Sequence, residues 1–263
     1  MSHLSHGHTI VSFETIVLLF IFALIMYTVA TMKSNQYKHL RKWPIHRYIC
    51  WFLGVLCAAI SVVGPLAELA HINFTAHMIG HLFLGMLAPL LIALSAPLTL
   101  LLRTVNIPTA RRLARILKSW PMRVPTHPVV ATIFNIGGLW VLYTTELYMA
   151  MQQNLLLHFL IHLHVFLAGY FFTVSMIYID QSPHRFSFIY RSVVLVLALA
   201  GHGILSKYIY ANPPSGVSAG QAEIGGMLMY YGGDAIDVVL IFILCFQWYK
   251  STRPRVSVSL VTN

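Results

Sequence analysis

Two histidine pairs carry the strongest chemical signal in this sequence: His77 with His81, and His158 with His162. Each pair is spaced i, i+4, which sets two imidazoles on one face of a helix. Such a pair can grip one metal ion from a single helix. His202 and the acidic pair Asp234 and Asp237, spaced i, i+3, add further ligating groups. Carboxylates beside imidazoles act as ligands, or as acceptors that fix the histidine tautomer. Met78, Met227 and Met229 would add thioethers, soft donors that favour Cu(I). Each group has a bland alternative. A lone histidine in an apolar segment can simply hydrogen-bond a neighbouring helix, and methionines commonly fill core gaps. The two pairs together weigh towards metal, because ionisable groups inside a membrane mark function by default.

The elements that must position these groups are long apolar blocks. The chain has 263 residues, 58% hydrophobic and 9% charged, with a mean hydropathy of +0.74. An average soluble domain is about 25% charged, so too little polar surface remains to cover a water-soluble globule. A span needs about 20 apolar residues to cross a core of about 30 Å. The sequence predicts seven, at about 10–32, 48–66, 75–102, 128–148, 155–179, 188–209 and 226–249. None shows the polar–apolar alternation of a membrane barrel strand. Backbone groups in lipid must be bonded internally, so helices are the remaining solution. The expected fold is an all-α integral membrane protein: a seven-helix transmembrane bundle forming one domain over 1–263. The first span reads as an anchor and not a cleaved signal, since no basic residue precedes it and no small-residue cleavage site follows.

Basic residues set the expected orientation. Lys33, Lys38, Arg41, Lys42 and Arg47 follow span 1; Arg103, Arg111, Arg112, Arg115, Lys118 and Arg123 follow span 3. Arg185 and Arg191 flank the turn into span 6, and Lys250, Arg253 and Arg255 follow span 7. That places 16 of 17 on one side, with Lys207 near the other. The positive-inside rule then puts the N-terminus outside and the C-terminus in the cytoplasm. The net charge of +10 is explained by this signal without nucleic acid. His81, His162, His202 and Asp234 then share one depth, about 10 Å below the outer surface at 1.5 Å per residue. Asp180 is the acid that falls on the inner side.

Other features are subordinate. Residues 108–121 read as a basic amphipathic helix on the cytoplasmic leaflet, with Leu113, Ile116, Leu117 and Trp120 on its apolar face. Cys50, Cys57 and Cys245 lie within apolar stretches, which suits buried inert thiols better than disulfides. His164 sits on another face from His158 and His162 and is expected to be structural. His3, His6 and His8 could capture metal loosely on the outer tail.

The stretch His77-Met78-Ile79-Gly80-His81, with Ala88-Pro89 and the run Ala96-Pro97-Leu98-Thr99 to Arg103, resembles the polytopic CtaG family of cytochrome c oxidase assembly factors. So do Leu156-Leu157-His158-Phe159-Leu160-Ile161-His162 and Gly225-Gly226-Met227-Leu228-Met229 through Gly233-Asp234. The resemblance covers roughly 70–248. One departure is Ile161, where many relatives carry an acidic residue. The resemblance implies a role in assembling haem-copper oxidases in the bacterial cytoplasmic membrane, particularly in forming the copper B centre. It implies the oxidase catalytic subunit as partner, with a copper donor chaperone on the outer side.

The expectation is therefore a copper-binding assembly factor without turnover chemistry. Its ligands would be drawn from His77, His81, His158, His162 and His202, with Asp234 and Asp237 as ligands or supports. One rival is a seven-span zinc hydrolase with three histidines, a carboxylate and activated water. A second is a bis-histidine haem protein. The i, i+4 pairs argue against haem, whose axial ligands come from opposite faces.

Overall fold

A computed structural model describes residues 13–180 and 184–254. The tail histidines His3, His6 and His8 lie outside the described residues. All regular elements among those described are helical. Six helices are long and apolar enough to cross a membrane, and a bent helix pair brings the number to seven when it is taken as one span. The protein is a multi-pass membrane protein.

Helix α1 (Phe13–Gln36) is peripheral: 6% of its apolar window is buried, against 61% for the span at Phe74–Leu94. It docks through Tyr27, whose ring stacks on Trp51 at 4.6 Å. Helix α2 (Ile45–Val62) starts three residues before the expected span and stops four earlier, at Val62. The chain then turns through Gly64 into the short α3 (Pro65–Ala70).

The central span is α4 (Phe74–His81), a π-helical turn at Leu82–Leu87, and α5 (Ala88–Leu94). It ends eight residues short of the expected Leu102. Proline disfavours the α conformation in the residue before it. Ala96, which precedes Pro97, accordingly leaves the helix with φ 53°. The chain restarts as α6 (Pro97–Thr104). Asp180 caps this restart: it accepts hydrogen bonds from the Leu98 and Thr99 amides at 3.2 and 2.7 Å and from the Thr99 hydroxyl at 2.5 Å.

Helix α7 (Ile107–Lys118) is the basic amphipathic helix, with none of its residues buried. Leu117 turns inward toward Tyr178, while Ile116 and Trp120 stay exposed. After the single turn α8 (Trp120–Arg123), the fourth span runs through α9 (Pro128–Thr132), a second π-helical turn at Ile133–Gly137, and α10 (Gly138–Thr144). It then bends by 80° into α11 (Leu147–Gln153). Two successive threonines explain the bend. The Thr144 and Thr145 hydroxyls donate back to the carbonyls of Trp140 and Val141, and Thr145 Oγ1 accepts from the Leu147 amide.

Helices α12 (Leu155–Met176), α13 (Phe188–Ala211) and α14 (Ala219–Thr252) complete the bundle. Helix α14 begins seven residues before the expected span. The close approach of α12 to the central span needs glycine: a Cβ on Gly169 would overlap the Gly85 carbonyl oxygen within the π-helical turn.

Candidate functional site

The two histidine pairs are placed by one repeated local device. In Asn73-x3-His77-x3-His81 the asparagine side chain caps α4, accepting from the Ala76 amide at 3.0 Å. In Asn154-x3-His158-x3-His162 the same cap closes α12, accepting from Leu157 at 3.1 Å. Each cap fixes where its helix starts, so the second histidine of each pair sits two turns in. At 1.5 Å per residue that is a depth of about 10 Å from each helix start.

Tertiary packing then turns the two helix faces toward each other. The His77 and His162 rings lie 6.3 Å apart, edge to face. His77, His81 and His162 line one small cavity of about 20 Å³, together with Tyr143 and Ile161. A second cavity of about 30 Å³ lies deeper, and His81, His202 and Asp237 face it. His77, His81, His202 and Asp237 are 4–6% exposed, shielded from the surroundings of the bundle. His202 approaches α14 where the helix has no side chain: a Cβ on Gly233 would come 2.5 Å from His202 Cε1.

The hydrogen bonds leave ring nitrogens to spare. His162 Nδ1 donates to the His158 carbonyl at 2.9 Å, which leaves Nε2 with a lone pair. His77 Nε2 pairs with the Tyr143 hydroxyl at 3.0 Å. His81 Nε2, His202 Nε2 and His158 Nδ1 are buried without a hydrogen-bond partner. Most buried polar groups find a partner, so three orphaned imidazole nitrogens in one region require a reason. Among the described residues, no group of three or more His, Cys, Asp or Glu side chains is arranged to hold a metal ion. The imidazoles meet in overlapping pairs and not in one closed shell.

The other candidates separate. Asp234 is exposed on the outer face of α14, and neither cavity includes it. Met78 and Met229 are fully buried in the core beside Phe74, whereas Met227 is 44% exposed. His164 Nε2 donates at 3.2 Å to the Phe134 carbonyl in the second π-helical turn. Lys207 lies 5.1 Å from the Tyr230 ring centre. Ile161 packs against the core cluster around Phe74 and Tyr143. The three cysteines are free thiols, but not the buried ones expected: Cys50 and Cys57 are half-buried and Cys245 is exposed. Sequence reasoning missed His71, Tyr143 and Tyr148. His71 lies six residues before His77 and stacks on His158. Tyr143 and Tyr148 both pack edge-on against His77. The sequence signal for the tyrosines was weak, since aromatics are frequent throughout the chain.

Residues 25–251 match the family described as "Cytochrome c oxidase caa3 assembly factor (Caa3_CtaG)". The chain belongs to this family. The match is wider than the motif-bearing stretch and takes in α2 and the second half of α1. The chain is also similar to a Mycobacterium leprae (strain TN) protein named "Uncharacterized protein ML1998", at 26% identity over 238 residues. That alignment covers 82% of this chain and 36% of the relative, so the chain spans about a third of that protein's length. No solved structure matches. In this Caa3_CtaG protein, then, the assembly-factor family and the imidazole cluster occupy the same membrane bundle.

Proposed function

We propose that this Caa3_CtaG protein binds copper within the membrane and helps form the copper B centre of a haem-copper oxidase, without turnover chemistry of its own. The observation that carries this reading is the pair of orphaned imidazole nitrogens on His81 and His202 beside the lone pair of His162. Imidazole suits copper. A delivery factor must also release its cargo, and overlapping ligand pairs hold an ion less tightly than a closed four-ligand shell. His77, His81, His162 and His202 would be the ligands, with Asp237 as ligand or support. Asp234 has no part in this set.

The same geometry favours copper over haem. Cavities for organic ligands usually measure about 300–1,000 Å³, and those at the deep imidazoles are about 20 and 30 Å³. The positive-inside asymmetry supports an outward-facing histidine end, with the N-terminus outside and the C-terminus in the cytoplasm. Copper would then arrive from a donor chaperone on the outer side and pass to the oxidase catalytic subunit.

Deleting the gene is the deciding experiment. Oxidase subunits should still be made and haem inserted, while catalytic copper and oxidase activity fall. Growth on fermentable carbon should be unaffected. An oxidase with normal copper and normal turnover in the deletion strain would overturn the reading, and altered lipids alongside it would point to a hydrolase. Reporter fusions after Asn73 and Gln152 should report outside, and those after Gln36 and Lys118 inside.

A further inference from the structure

His71 belongs to neither histidine pair, yet it continues their line. It is exposed beside the end of α3, and its ring stacks on His158 with centroids 4.6 Å apart. His158 stacks in turn on His162 at 4.2 Å. His162 lies 6.3 Å from His77 and shares a cavity with His81, which shares the next one with His202. Six imidazoles thus form a ladder from an exposed helix end to the bundle interior, the first four in ring contact and the last two across shared cavities. The outer rungs, His71, His158 and His162, line a cleft of about 250 Å³ whose other walls are apolar, with Ile16, Leu155 and Phe159 among them. His158 Nδ1 is buried there without a partner.

We propose that His71 and His158 form a loading site for a soft monovalent metal ion, separate from the buried set that retains it. The ion moves inward along the ladder by ligand exchange. This rests on the copper reading above and adds its route. Three observations carry it. Charge burial in an apolar medium is costly, and that cost rises with the square of the charge, so neutral imidazoles on apolar walls favour Cu(I) over a divalent ion. His158 Nδ1, buried at the cleft without a partner, is free to accept an ion. His71 and His162 both stack on His158, at 4.6 and 4.2 Å, and His162 meets His77 edge to face at 6.3 Å, so a ring that swings out of its stack, with its lone pair in the ring plane, reaches an ion held by its neighbour. Each step breaks one copper–nitrogen bond and forms another. No electron moves, and neutral imidazoles need release no proton.

The test is the time course of Cu(I) transfer from its bicinchoninate complex to the full chain purified in detergent. His71→Phe keeps an aromatic ring on His158 but removes the donor nitrogen. It should reach the wild-type copper content at a rate at least tenfold slower. His71→Met restores a soft donor and should recover most of the rate. Wild-type loading by His71→Phe would overturn the proposal. So would a lowered final copper content, which would place His71 in the retaining set, or slow loading that methionine leaves unrescued. If the wild-type chain takes no Cu(I) at all, the copper reading itself fails and the loading site falls with it.

Discussion

The two ends of the bundle use buried polar side chains differently. At the end holding Asp180, several close broken backbone, although Thr31 Oγ1, Ser34 Oγ, Arg103 Nε, His127 Nδ1 and Arg191 Nε have no hydrogen-bond partner. Asp180 takes three hydrogen bonds from the start of α6. The Tyr27 hydroxyl donates to the Ser95 carbonyl at 2.8 Å, where the central span breaks, and accepts from Trp43 Nε1 at 3.0 Å. The buried Arg191 donates to the Met176 carbonyl and lies 4.2 and 4.4 Å from the Tyr178 and Phe188 ring centres. Arg103 bonds the Arg41 carbonyl at 2.7 Å and so ties two basic loops together. At the other end, imidazoles are equally buried but three ring nitrogens go unused. Unpaired buried groups cost about 1–3 kcal/mol each. Both ends leave atoms unpaired, but at the histidine end they are imidazole nitrogens of residues that face shared cavities, held in reserve for a ligand.

Breaking the reserved end should give the largest effect. Replacing His81 and His162 together by Ala removes a donor from each of two helices and should lower copper affinity by more than about 100-fold, beyond the usual cost of losing a supporting group. Metal analysis of the purified variant measures this, and wild-type copper content would place the site elsewhere. At the opposite end, Asp180→Ala strips the cap from α6 and should cost about 1–3 kcal/mol of stability. It should lower the melting temperature in detergent while leaving copper stoichiometry intact. A loss of copper in this variant would mean that the two ends are coupled.

Smaller effects sharpen the contrast along α14. Asp237 faces His81 and His202 across one cavity, so Asp237→Asn should weaken copper binding about tenfold. Asp234→Asn, one helical turn away on the exposed face, should change affinity by less than about twofold, as surface substitutions usually do. Competition titrations against a Cu(I) chelator would compare the two. Equal losses would mean that the helix face has been assigned wrongly.

Much of the fold was legible because its causes are local. Long apolar blocks announce helices in lipid, and each histidine pair announces a helix face. The span ends were less legible. The break at Ala96 follows from Pro97, and the bend after Thr144 follows from two hydroxyls that can seize helix carbonyls, but hydropathy averages over both. The repeated Asn-x3-His-x3-His pattern was present in the sequence, and its capping role became clear only once both asparagines were seen at helix starts.

The sequence by itself determined a basic, multi-helix membrane chain with histidine pairs on single helix faces and motifs of the Caa3_CtaG family. Only the tertiary structure decided which groups meet. Residues i and i+3 lie about 60° apart around a helix, so Asp234 and Asp237 shared a face by spacing alone. The rotation of α14 against α13, set where Gly233 admits the His202 ring, turned Asp237 inward and left Asp234 outside. His71 joined the ladder because the short α3 folds back over the start of α12, a contact between segments more than 80 residues apart. Local sequence fixes the face of a helix, but its rotation and its neighbours are set by packing across the whole bundle.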